Sequence, residues 1–354
     1  MVEYGDTCCH PPEAHGKKKP WFQNLLFLSG LATLLLLGAS FVFPFLESFR
    51  YSLLGYLKMM GWPVALGFLA GGLVDYFVPG EYVSKILASR NKRTVFYAAG
   101  LGFLMSACSH GILALSMELH KKGASGPAVV SFLLASPWAN LPVTFLLVGF
   151  FGWRGVLIIL MALVVAVITG LIFQGLDRKG WIERNQNTIA VDSAFSIRRD
   201  IAKRLREITF SFSGFIRMIQ GIGRGMAGLA QMVLGWVLVG ILLASFAGAF
   251  IPPHIFHRFF GPTFTGLLIT LALATLLEVC SEGTSPLAFE IYKQTGAFGN
   301  AFAFLMGGVV TDYTEIGLVW INLGKRTALW MLAVTLPQVL LLAWLFNRLF
   351  YVAF

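Results

Sequence analysis

The passage Cys108-Ser109-His110-Gly111 stands inside an apolar run, and Cys280-Ser281-Glu282-Gly283 repeats it at an offset of 172 residues. At the same offset Leu115 meets Leu287, Glu118 meets Glu290 and Lys121 meets Lys293. Further on, Phe132 meets Phe304, Asn140 meets Asp312, Gly152 meets Gly324 and Arg154 meets Arg326 without a gap. One residue of slippage brings Gly67, Phe77 and Pro79 onto Gly240, Phe250 and Pro252. Two related halves that each carry polar residues at a break in an apolar segment are how secondary transporters build a midplane site. The chain reads as a carrier.

Composition leaves little else. Charged residues make up 12% and apolar residues 57%, against roughly 25% and 45–50% in an ordinary soluble domain. Apolar runs long enough to cross roughly 30 Å of hydrocarbon recur along almost the whole chain. No stretch remains for a soluble catalytic domain, so neither an enzyme nor a cofactor is expected. The net charge of +10 reads as a topology signal, since Lys and Arg gather in cytoplasmic loops and beside anionic lipid. Nucleic acid is not an expected partner, because no soluble basic face is available. Four cysteines are too few for a disulfide scaffold.

Residues 1–20 form a polar tail ending in Lys17-Lys18-Lys19-Pro20, and the apolar stretch 21–46 follows. That stretch exceeds a signal peptide's apolar core of roughly 7–15 residues. It reads as a retained transmembrane helix with a cytoplasmic N-terminus, although Gly38-Ala39-Ser40 keeps a cleaved signal open as an alternative. Further apolar segments run at about 62–78, 95–119, 127–150, 155–176, 226–251, 263–289, 298–321 and 327–350. The loops 79–94 and 177–212 are both basic and both belong in the cytoplasm. Three segments lie between them, and three crossings cannot return a chain to the same side. The segment 95–119 is therefore expected to be re-entrant, broken at its polar centre, which is tolerated only inside protein or beside a wet cavity.

The expected fold is an all-α integral membrane protein, a polytopic helical bundle of two inverted-topology repeats with broken or re-entrant helices. An extra N-terminal helix precedes them. Its parts are a cytoplasmic tail (1–20), the N-terminal helix (21–46), repeat 1 (60–176), a basic cytoplasmic linker (177–225) and repeat 2 (226–354). Within the linker Ile197, Ile201, Leu205 and Ile208 recur at near-helical spacing with Ser196 as N-cap. That segment reads either as a helix lying on the membrane surface or as a solvated linker face.

The candidate site is assembled from both halves. A thiol among apolar residues is usually a small hydrophobe. Here Cys108 and Cys280 hold the same place in two diverged copies, and each is followed by Ser and then by a ligand type, His110 or Glu282. Thiolate, imidazole and carboxylate together suit Zn²⁺, Cu⁺ or a sulfur-bonding trivalent arsenical. The substrate-binding set is then Cys108, Ser109, His110, Asn140, Cys280, Ser281, Glu282 and Asp312, with Cys108, His110, Cys280 and Glu282 as metal ligands. Ionisable residues within a span default to function, so Glu278, Asp312 and Glu315 are candidates for proton coupling. The second pair of breaks lies at Ser136–Pro142 and Gly308–Asp312. Cys8, Cys9 and His10 offer ligand types without a recognised spacing. Gly223-Arg224-Gly225-Met226-Ala227-Gly228 matches a dinucleotide fingerprint, but no strand precedes it, and it reads as helix packing.

These residues resemble a family of predicted permeases that includes bacterial methylarsenite efflux permeases and proteins assigned as copper or zinc exporters. The resemblance spans about residues 60–350. It rests on the Cys-Ser-x-Gly passage, on the run from Phe132 to Asn140, and on the second copy at Cys280-Ser281-Glu282. Members often carry Cys-Ser-Cys where this chain has His110 in the last place. An Asp that commonly follows the second Ser is replaced by the neighbourhood of Thr284-Ser285-Pro286. These departures weigh against three-thiol arsenic binding and favour a borderline metal ion. The resemblance implies efflux of a toxic thiophilic metal or metalloid, an organoarsenical or a Zn or Cu ion, across a bacterial inner membrane, and the acidic residues within the spans point to proton exchange as its drive. A permease for a small anion or sulfur compound is the alternative, and a membrane thiol oxidoreductase or sensor is the alternative of another class. The expected partners are the transported species and the lipid bilayer, with a homo-oligomer left open.

Overall fold

Once water is excluded, only a helix satisfies every backbone group within one segment, and the computed structural model is built accordingly. It describes residues 25–77, 87, 93–105, 109–121, 124–185, 212–277 and 281–350. Among these no strand occurs, and six helices are long and apolar enough to cross a membrane, or eight if each bent pair forms one span. The protein is an all-α, multi-pass membrane protein.

The helices are α1 (Leu25–Val42), α2 (Glu47–Phe77), α3 (Thr94–Leu104), α4 (Ser109–Lys121), α5 (Gly126–Ala139), α6 (Leu141–Phe151) and α7 (Trp153–Lys179). Then come α8 (Phe212–Phe250), α9 (Pro253–Phe260), α10 (Phe264–Leu277), α11 (Ser281–Thr295), α12 (Phe298–Val310), α13 (Tyr313–Asn322) and α14 (Lys325–Phe350). At the sequence offset α3 to α7 fall onto α10 to α14 helix by helix, and α2 falls onto α8. The first apolar stretch is divided by a turn at Pro44–Leu46, so α2 starts at Glu47, well before the apolar run that marks it in sequence. Its early turns hold Glu47, Arg50 and Tyr56, which mask the helix in a hydropathy reading. In the same way α8 begins at Phe212, inside the stretch read as linker. The tail 1–20, most of loop 79–94 and the Ile197–Ile208 segment lie outside the described residues.

Each of the 95–119 and 263–289 segments is two helices that double back. Ser131 Oγ donates to the Val95 carbonyl at 3.3 Å, and Ser136 Oγ donates to the Gly102 carbonyl at 3.1 Å. Later residues of α3 thus meet later residues of α5, and the two helices run in the same direction. Since α4 joins them, α4 must run back, and α3–α4 is a hairpin. In repeat 2, Asn300 Nδ2 donates to Thr270 Oγ1 at 3.0 Å and the Thr275 and Thr311 hydroxyls meet at 2.7 Å. The helices α10 and α12 are parallel too, and α11 returns.

The two hairpins open at opposite ends of the bundle. At the end marked by Gly324, Asn185 Nδ2 donates to the carbonyls of His120 (2.6 Å) and Ala124 (2.8 Å), fastening the mouth of the first hairpin to the end of α7. At the end marked by Gly152, the Arg154 guanidinium lies over Tyr292 (5.5 Å) and Phe298 (6.0 Å) at the mouth of the second. Trp153 and Phe298 both meet Phe350 there, at 5.7 and 5.9 Å. Thus the repeats are inverted, as the parity of the basic loops demands. The turns at Gly152 (φ +59) and Gly324 (φ +117) occupy matching positions with left-handed backbone, which an L side chain rarely adopts.

Interior Ser and Thr hydroxyls mostly bond their own helix, as Thr33, Ser245 and Thr335 do with the carbonyl four residues back. Large apolar side chains such as Leu34, Phe41, Leu160, Leu268 and Leu341 are exposed, giving the bundle a surface suited to lipid.

Candidate functional site

Each repeat brings two helix N-termini toward the middle of the bundle. One belongs to the returning hairpin helix, α4 or α11. The other belongs to the half-helix after the second break, α6 or α13. Across the repeats α11 packs on α6, and α4 packs on α13. The breaks predicted in sequence are therefore helix starts inside protein, where free N–H groups favour negative charge.

The second breaks are capped alike. Asn140 is buried, and its Oδ1 accepts from Val143 N at 2.8 Å. Pro142 in the first turn of α6 removes a donor that would have no partner there, and α5 and α6 meet at 46°. The chain thus bends at Asn140, three residues after Pro137, which stays inside α5. Asp312 does in repeat 2 what Asn140 does in repeat 1. Its Oδ1 accepts from Thr314 N (2.7 Å), the Thr314 hydroxyl (2.7 Å) and Glu315 N (3.2 Å). Asp312 is thus the cap of α13 and Glu315 its third residue, with the Glu315 N–H held by the Asp312 carboxylate.

At the hairpin tip of repeat 2, Ser281 and Glu282 are buried, and Ser281 Oγ donates to Glu282 Oε2 at 3.3 Å. The hydroxyls of Thr284 and Ser285 turn back onto the Ser281 carbonyl at 3.1 and 2.8 Å, tightening the first turn of α11. Gly240 of α8 is pressed against the backbone of Gly283, closer than any Cβ allows. Cys108 and Cys280 lie outside the described residues, each immediately before the first residue of a hairpin helix. Ser109 and His110 begin α4 without described side chains, and Glu278 and the tail residues Cys8, Cys9 and His10 also lie outside the description. Among the described residues no group of three His, Cys, Asp or Glu is assembled to hold a metal. His254 and His257 are exposed on α9 at the Gly152 end.

Three features were not singled out from sequence. Glu290 is 1% exposed and accepts from the Tyr56 hydroxyl and from Gln294 Nε2 at 2.6 Å, with Lys293 Nζ at 3.6 Å. Gly248 of α8 closes over it. Tyr56, Phe150, Phe151, Phe289, Tyr292 and Phe298 form a continuous aromatic plug around this group. The signal available in sequence was the repeated Glu-x-x-Lys at 118–121 and 290–293, but Tyr56 fell in a stretch not read as membrane helix. Second, Trp138 is buried beside the first break, and its Nε1 has no hydrogen-bond partner among the described residues. Third, Asn347 Oδ1 accepts from Gly299 N at 2.8 Å and its Nδ2 donates to Asn300 at 2.7 Å, tying α14 to the start of α12. An open groove of about 460 Å³ lined by Trp181, Arg326 and Trp330 lies at the Gly324 end, away from these helix starts.

The ArsP_1 family, described as predicted permease, matches residues 49–348. The chain is similar to "UPF0718 protein YcgR" of Bacillus subtilis, at 22% identity over 74% of this chain and 84% of the relative. It is also similar to a "Putative two-component membrane permease complex subunit" of Streptococcus mutans, at 23% identity over 72% of this chain and 79% of that one. A third relative is "Putative permease Rv2963" of Mycobacterium tuberculosis, at 24% identity over 64% of this chain and 58% of the relative. No solved structure matches. Matched over residues 49–348, the chain belongs to the ArsP_1 family of predicted permeases.

Proposed function

We propose that the chain is a secondary carrier that exports a thiophilic metal or metalloid, an organoarsenical or a Zn or Cu ion, from the cytoplasm in exchange for protons. It would work in a bacterial inner membrane with its N-terminus and the Gly324 end in the cytoplasm. The observation that carries this reading is the position of Cys108 and Cys280. Each directly precedes a hairpin helix whose partner is the opposite repeat's capped half-helix. Two thiols at matching points of the repeated sequence suit a soft ion, because a thiolate is the ligand such an ion prefers. His110 and Glu282 would complete the set, with Ser109, Ser281, Asn140 and Asp312 shaping it. Alternating access follows from two hairpins that open at opposite ends. The name of the Streptococcus relative adds the prospect of a second subunit.

Everted vesicles test this with methylarsenite, Zn²⁺ and Cu⁺ as probes. Uptake of one of them should vanish in Cys108→Ser and in Cys280→Ser, and the double variant should be no worse than either. Full uptake of all three by both single variants would refute the thiol site. A second reading, a permease for a small anion or sulfur compound, is favoured by the buried Trp138 N–H, which has no partner among the described residues and lies beside the start of α6. Sulfite and thiosulfate belong in the same panel.

A further inference from the structure

Asp312 and Glu315 stand one turn apart, and the structure gives them different surroundings. Asp312 Oδ1 is occupied by three donors, at 2.7, 2.7 and 3.2 Å, as the cap of α13. Glu315 is 3% exposed, and its Oε1 is buried without any hydrogen-bond partner among the described residues. A lone carboxylate at this depth is unfavourable unless it takes up a proton or a cation. Unpartnered buried polar atoms in a native fold call for such an explanation.

The helices packed on α13 are α4 and α14. On α14 the charged groups are Lys325 and Arg326, exposed at the Gly324 end, and Arg348 in the last turn at the other end. On α4 they are His110, Glu118, His120 and Lys121. Of these only the His120 side chain is described; it is buried near the hairpin mouth. On α13 itself Asp312 is the neighbour. Repeat 1 has Val143 where repeat 2 has Glu315, and Asn140 where repeat 2 has Asp312. The pair has no acidic counterpart across the pseudo-twofold.

We infer that Glu315 is the group that binds and releases the exchanged proton, and that Asp312 is a positioning residue that holds the start of α13. This rests on the proton-coupled reading above. A proton adds to one Glu315 oxygen to give the neutral carboxyl within the α4–α13 seam. It leaves to water when the seam opens, and only that O–H bond forms and breaks. Asp312 keeps its three donors throughout.

The test uses the full chain in detergent and in vesicles. N,N′-dicyclohexylcarbodiimide adds covalently to protonated carboxyls in apolar surroundings, and peptide mass spectrometry locates the adduct. The expected adduct is on Glu315, several-fold stronger at acidic than at alkaline pH, absent from Asp312 and retained in Asp312→Asn. In vesicles holding a pH-sensitive dye, methylarsenite or Zn²⁺ should move protons with the wild type but not with Glu315→Gln. Should Glu315→Gln fail to accumulate, Glu315→Asp keeps the carboxyl and should take the adduct at the same position. An adduct on Asp312 or Glu282 in place of Glu315 overturns the assignment, as does protection by Zn²⁺ that is indifferent to pH. Wild-type vesicles that move no protons with either probe overturn proton coupling itself, and the adduct still decides the chemistry of Glu315.

Discussion

Equivalent helices form two seams across the pseudo-twofold, and they are covered differently. In the half toward Gly152, α6 packs on α11, with α2 lying on α6 and α8 on α11. In the half toward Gly324, α13 packs on α4, yet among the described residues neither α8 with α13 nor α2 with α4 forms a packed pair. The matched glycines show the same difference. Gly67 of α2 sits on Pro142, the second residue of α6, while Gly240 of α8 sits on Gly283 of α11. Exact symmetry would set Gly240 against Thr314 and Gly67 against Gly111. Among the described residues the scaffold is therefore duplicated while its packing is not.

The hardest way to break this comparison is to wedge the covered seam. Leu in place of Gly240 would place a branched side chain in the Gly283 backbone, and α11 cannot yield without leaving the aromatic plug. Overpacking of this kind costs roughly 1–3 kcal/mol or more. Gly240→Leu should fail to yield monodisperse protein, or melt far below the wild type by size-exclusion after heating. Gly61 has open space around it, so Gly61→Leu serves as the control. Equal melting of both variants would mean that α8 and α11 do not meet in the membrane.

The next lever is the buried Glu290 contact in the covered seam. Removing the Glu290 carboxyl orphans the Tyr56 hydroxyl and Gln294 amide in a buried place, a loss of about 2 kcal/mol. Lys293 is half exposed and adds little. Glu290→Ala should lower the melting temperature clearly and Tyr56→Phe about half as much. Cysteines introduced near Phe289 should also react faster with a thiol reagent from the Gly152 side. Unchanged reactivity in Glu290→Ala would show that Glu290 does not hold that end shut.

Much of this architecture was legible in the chain, because duplication and charge parity are global signals. The repeated Cys-Ser passages end where α4 and α11 begin, at Ser109 and Ser281, and the parity of the basic loops asked for one re-entrant segment, 95–119. The Tyr56–Glu290 contact was not legible. Tyr56 and Glu290 lie 234 positions apart, and their contact depends on how the long helices lean, which no repeat records. The asymmetric covering of the seams was hidden for the same reason. Asp312 and Glu315 were visible as a pair of acids, but only geometry separates a saturated cap from a carboxyl with a free oxygen.

A smaller effect tests whether the two breaks are the same device. Asn and Asp cap helices about equally, and losing either to Ala costs about 1 kcal/mol. Asn140→Ala and Asp312→Ala should each cost that much in melting experiments. Asp312→Asn and Asn140→Asp, which keep Oδ1 as acceptor, should leave stability nearly unchanged. A large loss in Asn140→Asp alone would mean that the first break excludes charge, and that the acidity of repeat 2 is imposed by its surroundings.

The smallest effect lies at the paired turns. Gly152 has nothing near its missing Cβ, whereas Gly324 lies against the Glu183 side chain. Glu183 accepts from Arg326 N and Thr327 N, each at 3.0 Å, and from the Thr327 hydroxyl at 2.9 Å, so it caps α14 from another segment. Partial burial alone would push this carboxyl up, but those donors outweigh it and hold the group below its ordinary value of 4.5. A group depressed on folding stabilises the fold above its unfolded value and loses that contribution as pH falls through the folded one. Wild type should therefore melt slightly above Glu183→Gln at neutral pH, by a margin that is flat down to about pH 5 and shrinks in stronger acid. Among the described residues no acid caps α7 at the matching Gly152 turn, so Arg154→Gln should show no such acid-dependent margin. A Glu183→Gln margin that stays constant or widens on acidification would mean that Glu183 does not cap α14 as an ionised group.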